Sequence, residues 1–357
     1  MQTSVAWLGL DAHAKFSLLA WMDDQGTRRG HWRFPTTEPR LVKHRQLIPA
    51  SVKHLALEEC GLGRWLAQVA RPHVTDAVVC DPRENHRISR HHHKCDEEDG
   101  YGLAHLHRLG ALKKVWQPTS DERAVFKCAV QAYDDAVARQ TALKLPLKAH
   151  YRQWGVIPAG STVYGRPGRA QWLAQISQAG VRAQLQLRYE RLDDALAVER
   201  KTRRLMTQLG QPFPEITRLQ TVPGVGRIGA HVFVAYIQEP ARFATAQQLF
   251  RYCRLGIRDR SRDGKPLGYQ QLDHTGHGAL KAISYRAWLA AMKRRAGPVH
   301  EFYEHSLTRT GNEVHARLNT QRKVLHTLLV LWREGREFEP QRFLGNEPQP
   351  AAKTSCG

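Results

Sequence analysis

The sequence has no long apolar run and no paired cysteines. None of its hydrophobic stretches approaches the roughly 18–20 residues of a membrane-spanning helix, and the N-terminus lacks the basic-then-apolar order of a signal peptide. The cysteines, at positions 60, 80, 95, 128, 253 and 356, form no CxxC pair. Their spacing indicates neither a zinc ribbon nor a disulfide framework. We therefore expect a cytoplasmic protein with free thiols and no membrane partner.

Acidic residues are few beside the basic ones. The chain of 357 residues carries 54 Lys and Arg against 33 Asp and Glu, which gives a net charge of +21. Such an excess favours a polyanionic partner, and without a membrane segment it indicates DNA or RNA. Hydrophobic residues make up 41% of the chain, enough for real cores, and the length predicts two or three domains.

Four carboxylates stand out against this basic background. Asp11 follows the apolar run 5–10, and Glu58 lies in the strand predicted over 54–59. Asp96 and Asp99 are three residues apart on a predicted helix and share its leucine stripe, so we expect both to face inward. Clustered carboxylates repel one another and are costly to bury unless a divalent cation neutralises them.

The four acids together predict a site for Mg²⁺, with Mn²⁺ as the alternative, and phosphoryl-transfer chemistry. Each acid alone has a simpler interpretation. Asp11 is then a turn residue, and the run 96–99 is a solvated helix start favoured by the helix dipole. Glu59 competes with Glu58 for one role.

Short apolar runs predict an α/β domain in the N-terminal part. They indicate a meander of three strands over 5–10, 16–21 and 31–34, a strand over 54–59, a helix over 65–70 and a strand over 76–80. The helix with the two aspartates follows. This order, with acids at strand ends, is the one in which a ribonuclease-H-like domain brings carboxylates onto a metal.

The middle of the chain predicts two long helices, over 121–144 and 169–209, with a proline-containing link between them that includes Pro146. The second helix carries an apolar stripe formed by Leu185, Tyr189, Leu192 and Leu196. Such a stripe suits a coiled coil, antiparallel or between subunits, and it equally suits a helical hairpin packed within one subunit.

The segment that follows the second predicted helix is rich in glycine. Segment 219–230 predicts a tight turn that opens a helix, the pattern of a helix-hairpin-helix. Gly224, Gly226 and Arg227 would hold a backbone phosphate there without reading bases. The alternative is an ordinary corner between two helices, in which the glycines only permit positive φ.

Four motifs in the N-terminal part resemble those of the DEDD transposases of bacterial insertion sequences. That family, numbered one hundred and ten and also known as bridge-RNA-guided recombinases, carries the motifs GID, LEATG, NP and KTDxxDA. The matching segments here are Gly9-Leu10-Asp11, Ala56-Leu57-Glu58-Glu59-Cys60-Gly61, Cys80-Asp81-Pro82 and Lys94-Cys95-Asp96-Glu97-Glu98-Asp99. The motif glutamate precedes a small residue, so the resemblance matches Glu58. Segment 222–256 is similar to the start of the family's second conserved domain.

The resemblance implies an architecture and an activity. It implies a RuvC-like catalytic domain over 1–118, a helical coiled-coil region for oligomerisation over 119–211, a mainly α-helical transposase domain over 212–340 and a flexible tail over 341–357. The implied activity is DNA recombination at element ends and a target, with a guide RNA and a dimer or tetramer. The implied catalytic and metal-binding residues are Asp11, Glu58, Asp96 and Asp99.

The family also carries a catalytic serine in its second domain, in a YxSG type of motif. The corresponding stretch here, 256–265, contains one serine, Ser261. When Gly264 is aligned with the motif glycine, Asp263 occupies the serine position. Ser261 is the candidate nucleophile, and the cations expected to bind DNA phosphates around it are Arg258, Arg260, Arg262 and Lys265. The alternative is a serine in a surface loop, among arginines that bind only the DNA backbone, and Thr275 is a weaker hydroxyl candidate.

The predicted function is that of a transposase with Mg²⁺-dependent DNA strand cleavage and rejoining. One alternative is a RuvC-like nuclease of the resolvase type in which water attacks the phosphate. Another is an inactive protein that only binds nucleic acid. The run His91-His92-His93 with Cys95 has no second half at zinc spacing, so we interpret it as a solvated basic segment.

Overall fold

The computed structural model describes residues 4–82, 95–118, 120–262 and 265–345, apart from the side chains of 259–262 and 265–270. The chain forms two compact units, one up to Gln117 and one from Pro118 onward. The histidine run at 91–93 lies outside the described residues. The described cysteines form no disulfide bonds with one another.

The first unit is built on a mixed sheet of five strands in the order β3-β2-β1-β4-β5. β1, β2 and β3 pair antiparallel, whereas β1, β4 and β5 pair parallel. The elements are β1 (Val5–Ala12), β2 (Phe16–Asp23), β3 (Arg28–Pro35), α1 (Glu38–Gln46), β4 (Val52–Glu58), α2 (Gly63–Ala70), β5 (Asp76–Cys80) and α3 (Asp96–Arg108). This topology is compatible with the predicted ribonuclease-H-like domain.

Helix α1 was absent from the predicted order, which was wrong at this point. The helix buries only Leu41, so it has no apolar stripe by which its sequence would be detected. Its ends carry the local signals instead. Glu38 and Pro39 lie in the first turn, and basic residues fill the last turn, as the helix dipole favours.

The second unit is mainly helical, as predicted. Its elements are α4 (Asp121–Gln153), α5 (Arg166–Ala174), α6 (Ala179–Leu209), α7 (Glu215–Leu219), α8 (Arg227–Ile237), α9 (Ala246–Tyr252), β6 (Ile257–Arg262), β7 (Lys265–Leu272), α10 (Gly278–Arg294), α11 (Pro298–Thr310), α12 (Glu313–Glu334) and α13 (Pro340–Leu344). One core joins the first half of α4 to α7, α8, α10 and α12.

The long helices differ from the predicted ones at Pro146 and at residues 175–178. Pro146 was predicted to lie in a link, yet α4 continues through it to Gln153. A proline inside a helix costs about 3 kcal/mol. Leu147 and Tyr151, one and five residues after the proline, are fully buried, and their packing offsets that cost. The second predicted helix is interrupted at 175–178, which separates α5 from α6.

The apolar stripe of α6 packs against α4 of the same chain. Leu185, Tyr189 and Leu192 are buried in one cluster with Leu147 and Tyr151 of α4. The hydroxyl groups of Tyr151 and Tyr189 form a buried hydrogen bond of 3.0 Å. The stripe therefore packs within one chain, as a helical hairpin. This was one of the two interpretations that the sequence allowed.

The segment around Ser261 was predicted to be a loop and is a strand. β6 pairs antiparallel with β7, with Ser261 opposite Pro266 and an irregularity between Asp259 and Ser261. The prediction failed because Ile257 is the only apolar residue of β6, so no alternation marks the strand.

Candidate functional site

Asp11 and Glu58 lie at the same edge of the sheet, at the ends of neighbouring parallel strands. The register pairs Leu10 of β1 with Leu57 of β4, so the next residue of each strand is one of the two acids. Side chains alternate between the faces of a strand. Leu10 and Leu57 belong to the core that α1 and α2 cover. Asp11 and Glu58 therefore project towards the opposite face, which α3 covers.

Helix α3 lies directly on the backbone of β1. A Cβ atom on Gly9 would be 1.9 Å from the carbonyl oxygen of Gly100 and 2.8 Å from the backbone nitrogen of Ala104. A Cβ atom on Gly100 would be 3.0 Å from Leu18 Cδ2. The two glycines allow this close approach, and it sets the start of α3 beside the end of β1.

The first residue of α3, Asp96, comes close to Asp11. One ligand atom each from Asp11, His13 and Asp96 lie within 4.8 Å of one another. His13 Nε2 is 3.0 Å from Asp11 Oδ2 and 3.9 Å from Asp96 Oδ1. The Asp11 side chain is 20% exposed, against 46% for Asp96 and 56% for His13. We call these three residues the acidic cluster; it opens to solvent, with Asp11 as its most buried member.

Burial raises the pKa of Asp11 above its usual range. His13 opposes this effect through its charge and its hydrogen bond, while the carboxylates of Asp96 and Asp99 raise the pKa further. A half-buried carboxylate among like charges is stabilised in its ionised form by a nearby cation. The electrostatics of the acidic cluster therefore favour a bound cation.

His13 was not among the residues predicted from sequence. It follows β1 directly, two residues after Asp11, and its backbone N–H donates to the carbonyl of Phe16 across the turn to β2. Residues two apart in an extended chain share a face. That spacing was the available signal, but a single histidine in a turn does not stand out in a chain with 19 histidines.

Glu58 and Asp99 lie outside the three-residue acidic cluster. In the described parts of the chain, neither residue belongs to the group whose ligand atoms all lie within 4.8 Å of one another. Glu58 is half-buried, whereas Asp99 is exposed. The prediction that both aspartates of α3 face inward was wrong for Asp99. Asp99 shares the side of α3 that carries the buried Leu103 and Leu106, but it lies in the first turn of the helix, where its side chain is exposed.

Glu59 was the competitor of Glu58. Its side chain is exposed, and its backbone N–H donates to the carbonyl of Cys80 at 2.9 Å. Strand alternation gives the face under α3 to Glu58 and not to Glu59.

The two acids between Asp96 and Asp99 have basic partners on β3. Glu98 forms a bidentate pair with Arg28, with N–O distances of 2.6 and 2.7 Å. Glu97 lies 3.2 Å from His31 Nε2. These pairs tie the first turn of α3 to the sheet, and Asp96 points instead to the acidic cluster.

The glycine turn of the second unit lies between Leu219 and Arg227. Gly224 has a φ of +80°, and a Cβ atom on it would be 2.7 Å from the Ala287 Cα of α10. This glycine is required by helix packing. A Cβ atom on Gly226 would meet nothing within 4 Å. A cavity of about 520 Å³ opens beside the turn, with Arg227 and Arg286 in its wall.

The side chains of the predicted serine site lie mostly outside the described part of the chain. This applies to Ser261, Arg260, Arg262 and Lys265. Arg258 is exposed on β6. The backbone N–H of Thr275 donates to Asp273 Oδ1 at 2.9 Å.

Part of the chain matches a known protein family. No helix in the described residues is long and apolar enough to cross a membrane. No curated protein matches the sequence. Residues 216–304, from α7 to α11, match the family described as Transposase IS116/IS110/IS902 family. The chain therefore contains, in its C-terminal half, a domain of the IS110/IS116/IS902 family of transposases.

Proposed function

We propose that this transposase is a metal-dependent enzyme that cleaves and rejoins DNA strands at the ends of its insertion sequence and at a target. The observation that carries the proposal is the acidic cluster of Asp11, His13 and Asp96 at the carboxyl edge of the mixed sheet. It occurs in a chain of net charge +21 with a transposase domain, so the expected substrate is a polyanion.

The acidic cluster fits a divalent cation. Two carboxylate oxygens suit Mg²⁺ or Mn²⁺, and an imidazole nitrogen suits a transition-metal ion better than Mg²⁺. The raised pKa of the half-buried Asp11 fits the same interpretation, because burial and the nearby carboxylates disfavour its ionised form and a bound cation would favour it. A bound divalent cation would stabilise negative charge on the attacking and leaving oxygens of a phosphoryl group.

We assign the residues of the chain the following roles. Asp11, Asp96 and the imidazole of His13 hold the cation. His13 Nε2, which hydrogen-bonds to the Asp11 carboxylate, exchanges that hydrogen bond for the cation when the ion binds. Glu58 projects from the neighbouring strand on the same face and supplies a further oxygen. Asp99, exposed on α3, contributes charge close enough to affect the pKa of Asp11.

We propose that the Ser261 hydroxyl attacks a DNA phosphodiester, which forms a phosphoserine and releases a DNA hydroxyl end. In strand joining a DNA hydroxyl end attacks the phosphoserine and releases the serine, and Arg258, Arg260, Arg262 and Lys265 contact the phosphates. We also assign Gly224, Gly226 and Arg227 to a phosphate contact at the glycine turn. The cavity beside Arg227 and Arg286 supports that assignment. We also propose that a non-coding RNA guides the enzyme, and this part of the proposal rests on the family resemblance.

We propose a dimer or tetramer as the active state. Three exposed apolar residues of α6, Leu187, Val198 and Leu205, support it. At about 100° of rotation per residue, they fall within about 20° of one another on one side of the helix. An exposed apolar line of this kind suits contact with another helix.

The test uses the full chain with DNA that contains the element ends and the RNA encoded beside them. Asp11→Asn should abolish metal-dependent cleavage, and unchanged cleavage would contradict the proposed site. Ser261→Ala should abolish strand joining; if joining persists, the nucleophile lies elsewhere, and Thr275→Ala tests the second hydroxyl. Cleavage by Ser261→Ala without joining would favour a nuclease that uses water.

A further inference from the structure

The second unit contains a group of four cations that the assignments above do not use. Lys281 lies on α10, Arg317 and Arg322 lie on α12, and Arg254 follows α9. Lys281, Arg317 and Arg322 are half-buried, and Arg254 is exposed. We call these four residues the cationic cluster.

Backbone contacts fix the position of Arg254. Its Nε donates to the carbonyl of Gly276 at 2.8 Å. Its Nη1 would be 3.2 Å from a Cβ atom on Gly278, so the absence of a side chain at the start of α10 leaves room for the guanidinium. Arg254 also has a φ of +55°, a conformation that is uncommon outside glycine. The surrounding structure therefore holds this arginine in place.

The two arginines of α12 are also held in place. Arg322 Nε donates to the carbonyl of Leu255 at 2.9 Å, and Nη1 lies 3.4 Å from Asn319 Oδ1. The guanidinium of Arg317 lies over the Trp288 ring, 5.7 Å from its centroid. Arg317 Nε is buried and has no hydrogen-bond partner within the described residues.

The cationic cluster has an unbalanced charge. Burial lowers the pKa of Lys281, and Arg317, Arg254 and Arg322 lower it further. Over the ranges that the structure describes, none of the four cations forms an ion pair with a carboxylate. Glu313 precedes Arg317 by one helical turn and forms no ion pair with it. Partial burial of like charges is unfavourable unless an anion joins them.

We propose that the cationic cluster binds a backbone phosphate of the DNA on which the transposase domain acts. The inference rests on the DNA-binding part of the proposed function. Guanidinium groups match the paired oxygens of a phosphodiester, and the ammonium of Lys281 adds a point charge. A cavity of about 260 Å³ lies beside Arg322, at the base of the β6–β7 hairpin. Gln271, His315 and Asn319 give it polar walls that suit the sugar or base next to that phosphate.

The test compares Lys281→Gln and Arg317→Gln with Lys293→Gln in the full chain. Lys293 is an exposed lysine of the same helix as Lys281, so it controls for the loss of one charge. Binding to a DNA duplex of fixed sequence is measured over a range of salt concentrations, without divalent metal. We expect Lys281→Gln and Arg317→Gln to weaken binding about tenfold. Each should also reduce the slope of log K against log salt by about 1. Lys293→Gln should change both quantities less.

Thermal unfolding separates a binding role from a structural one. Because the free protein bears repulsion within the cationic cluster, Lys281→Gln should unfold at the same or a higher temperature than the wild type. If Lys281→Gln unfolds at a lower temperature, Lys281→Arg keeps the charge and should bind DNA as the wild type does. Unchanged affinity and salt slope in Lys281→Gln and Arg317→Gln would overturn the inference, and so would equal losses in Lys293→Gln.

The same measurements separate this inference from the proposed function. A wild-type chain that binds no DNA would contradict both. A wild-type chain that binds and cleaves DNA, with Lys281→Gln and Arg317→Gln unchanged in binding, would contradict only the inference on the cationic cluster.

Discussion

Gly9 and Gly100 are in backbone contact: a Cβ atom on Gly9 would lie 1.9 Å from the carbonyl oxygen of Gly100. Asp11 follows Gly9 by two residues on β1, and Asp96 precedes Gly100 by four residues on α3. The contact between the two glycines therefore sets the separation of the two carboxylates. Two residues without side chains are as much a part of the candidate metal site as the acids are.

Gly9→Ala should destabilise the first unit by about 3 kcal/mol, because the contacting atoms belong to backbone that cannot move aside. Chemical denaturation of the full chain, followed by a probe of the first unit, measures the change. Gly102→Ala is the matched control on α3, since a Cβ atom there would meet nothing within 4 Å. It should stabilise the helix by about 0.5–1 kcal/mol. Equal effects of the two substitutions would contradict the account of this contact.

His13→Ala should lower the affinity for Mn²⁺ about tenfold, because the acidic cluster loses its nitrogen ligand. The affinity for Mg²⁺ should fall less, since Mg²⁺ prefers oxygen ligands. Isothermal titration with each ion measures both. Glu97→Gln is the control, as Glu97 pairs with His31 and not with the acidic cluster. Equal Mn²⁺ affinity in His13→Ala and wild type would exclude His13 from the site.

Asp193→Asn should destabilise the helical hairpin of the second unit by about 2 kcal/mol. Asp193 accepts two hydrogen bonds from the Arg169 guanidinium, at 2.8 and 2.6 Å, and Arg169 also lies over the Tyr189 ring. The neighbouring Asp194 is exposed, so Asp194→Asn should change the free energy of unfolding by less than about 0.5 kcal/mol. Similar losses in the two variants would show that the ion pair is not the cause.

The stability of the second unit should fall in mild acid because of one buried and two half-buried histidines. Burial lowers the pKa of His231 below its usual 6.5, and it also lowers the pKa of His277 and His326. The unfolded chain then binds more protons than the folded one, so this contribution is present above pH 6.5 and is lost as the pH falls through the folded pKa values.

His231→Gln should therefore reduce the drop in the unfolding temperature between about pH 7 and about pH 5. Thermal unfolding at a series of pH values measures it. A variant with the same pH dependence as the wild type would show that His231 does not contribute.

The sequence predicted most of the features that position the carboxylates. Apolar runs mark β1 and β4, and the acids at their ends follow directly, so Asp11 and Glu58 could be placed at one edge of a sheet. Glu58 could not be chosen over Glu59 from sequence patterns alone, because the choice depends on which face of β4 meets α3. The parallel register between β1 and β4 supplies that information.

Other features carry no local signal. Helix α1 buries one leucine, and strand β6 has one apolar residue, so neither shows a hydrophobic period. His13 joins the acidic cluster through the turn between β1 and β2, and the Gly9–Gly100 contact joins residues far apart in sequence. Such relationships arise from packing in three dimensions, which a pattern along the chain does not encode.

The most direct test of the central claim is Mn²⁺ binding by the full chain, measured by titration for the wild type, Asp11→Asn and Asp96→Asn. The account predicts that the wild type binds Mn²⁺ and that each substitution weakens binding at least about a hundredfold, since each removes a carboxylate ligand. Glu59 is an exposed acid directly after β4, and Glu59→Gln should leave Mn²⁺ binding unchanged. Wild-type affinity in Asp11→Asn and Asp96→Asn would contradict the metal site, and with it the proposed mechanism of strand cleavage.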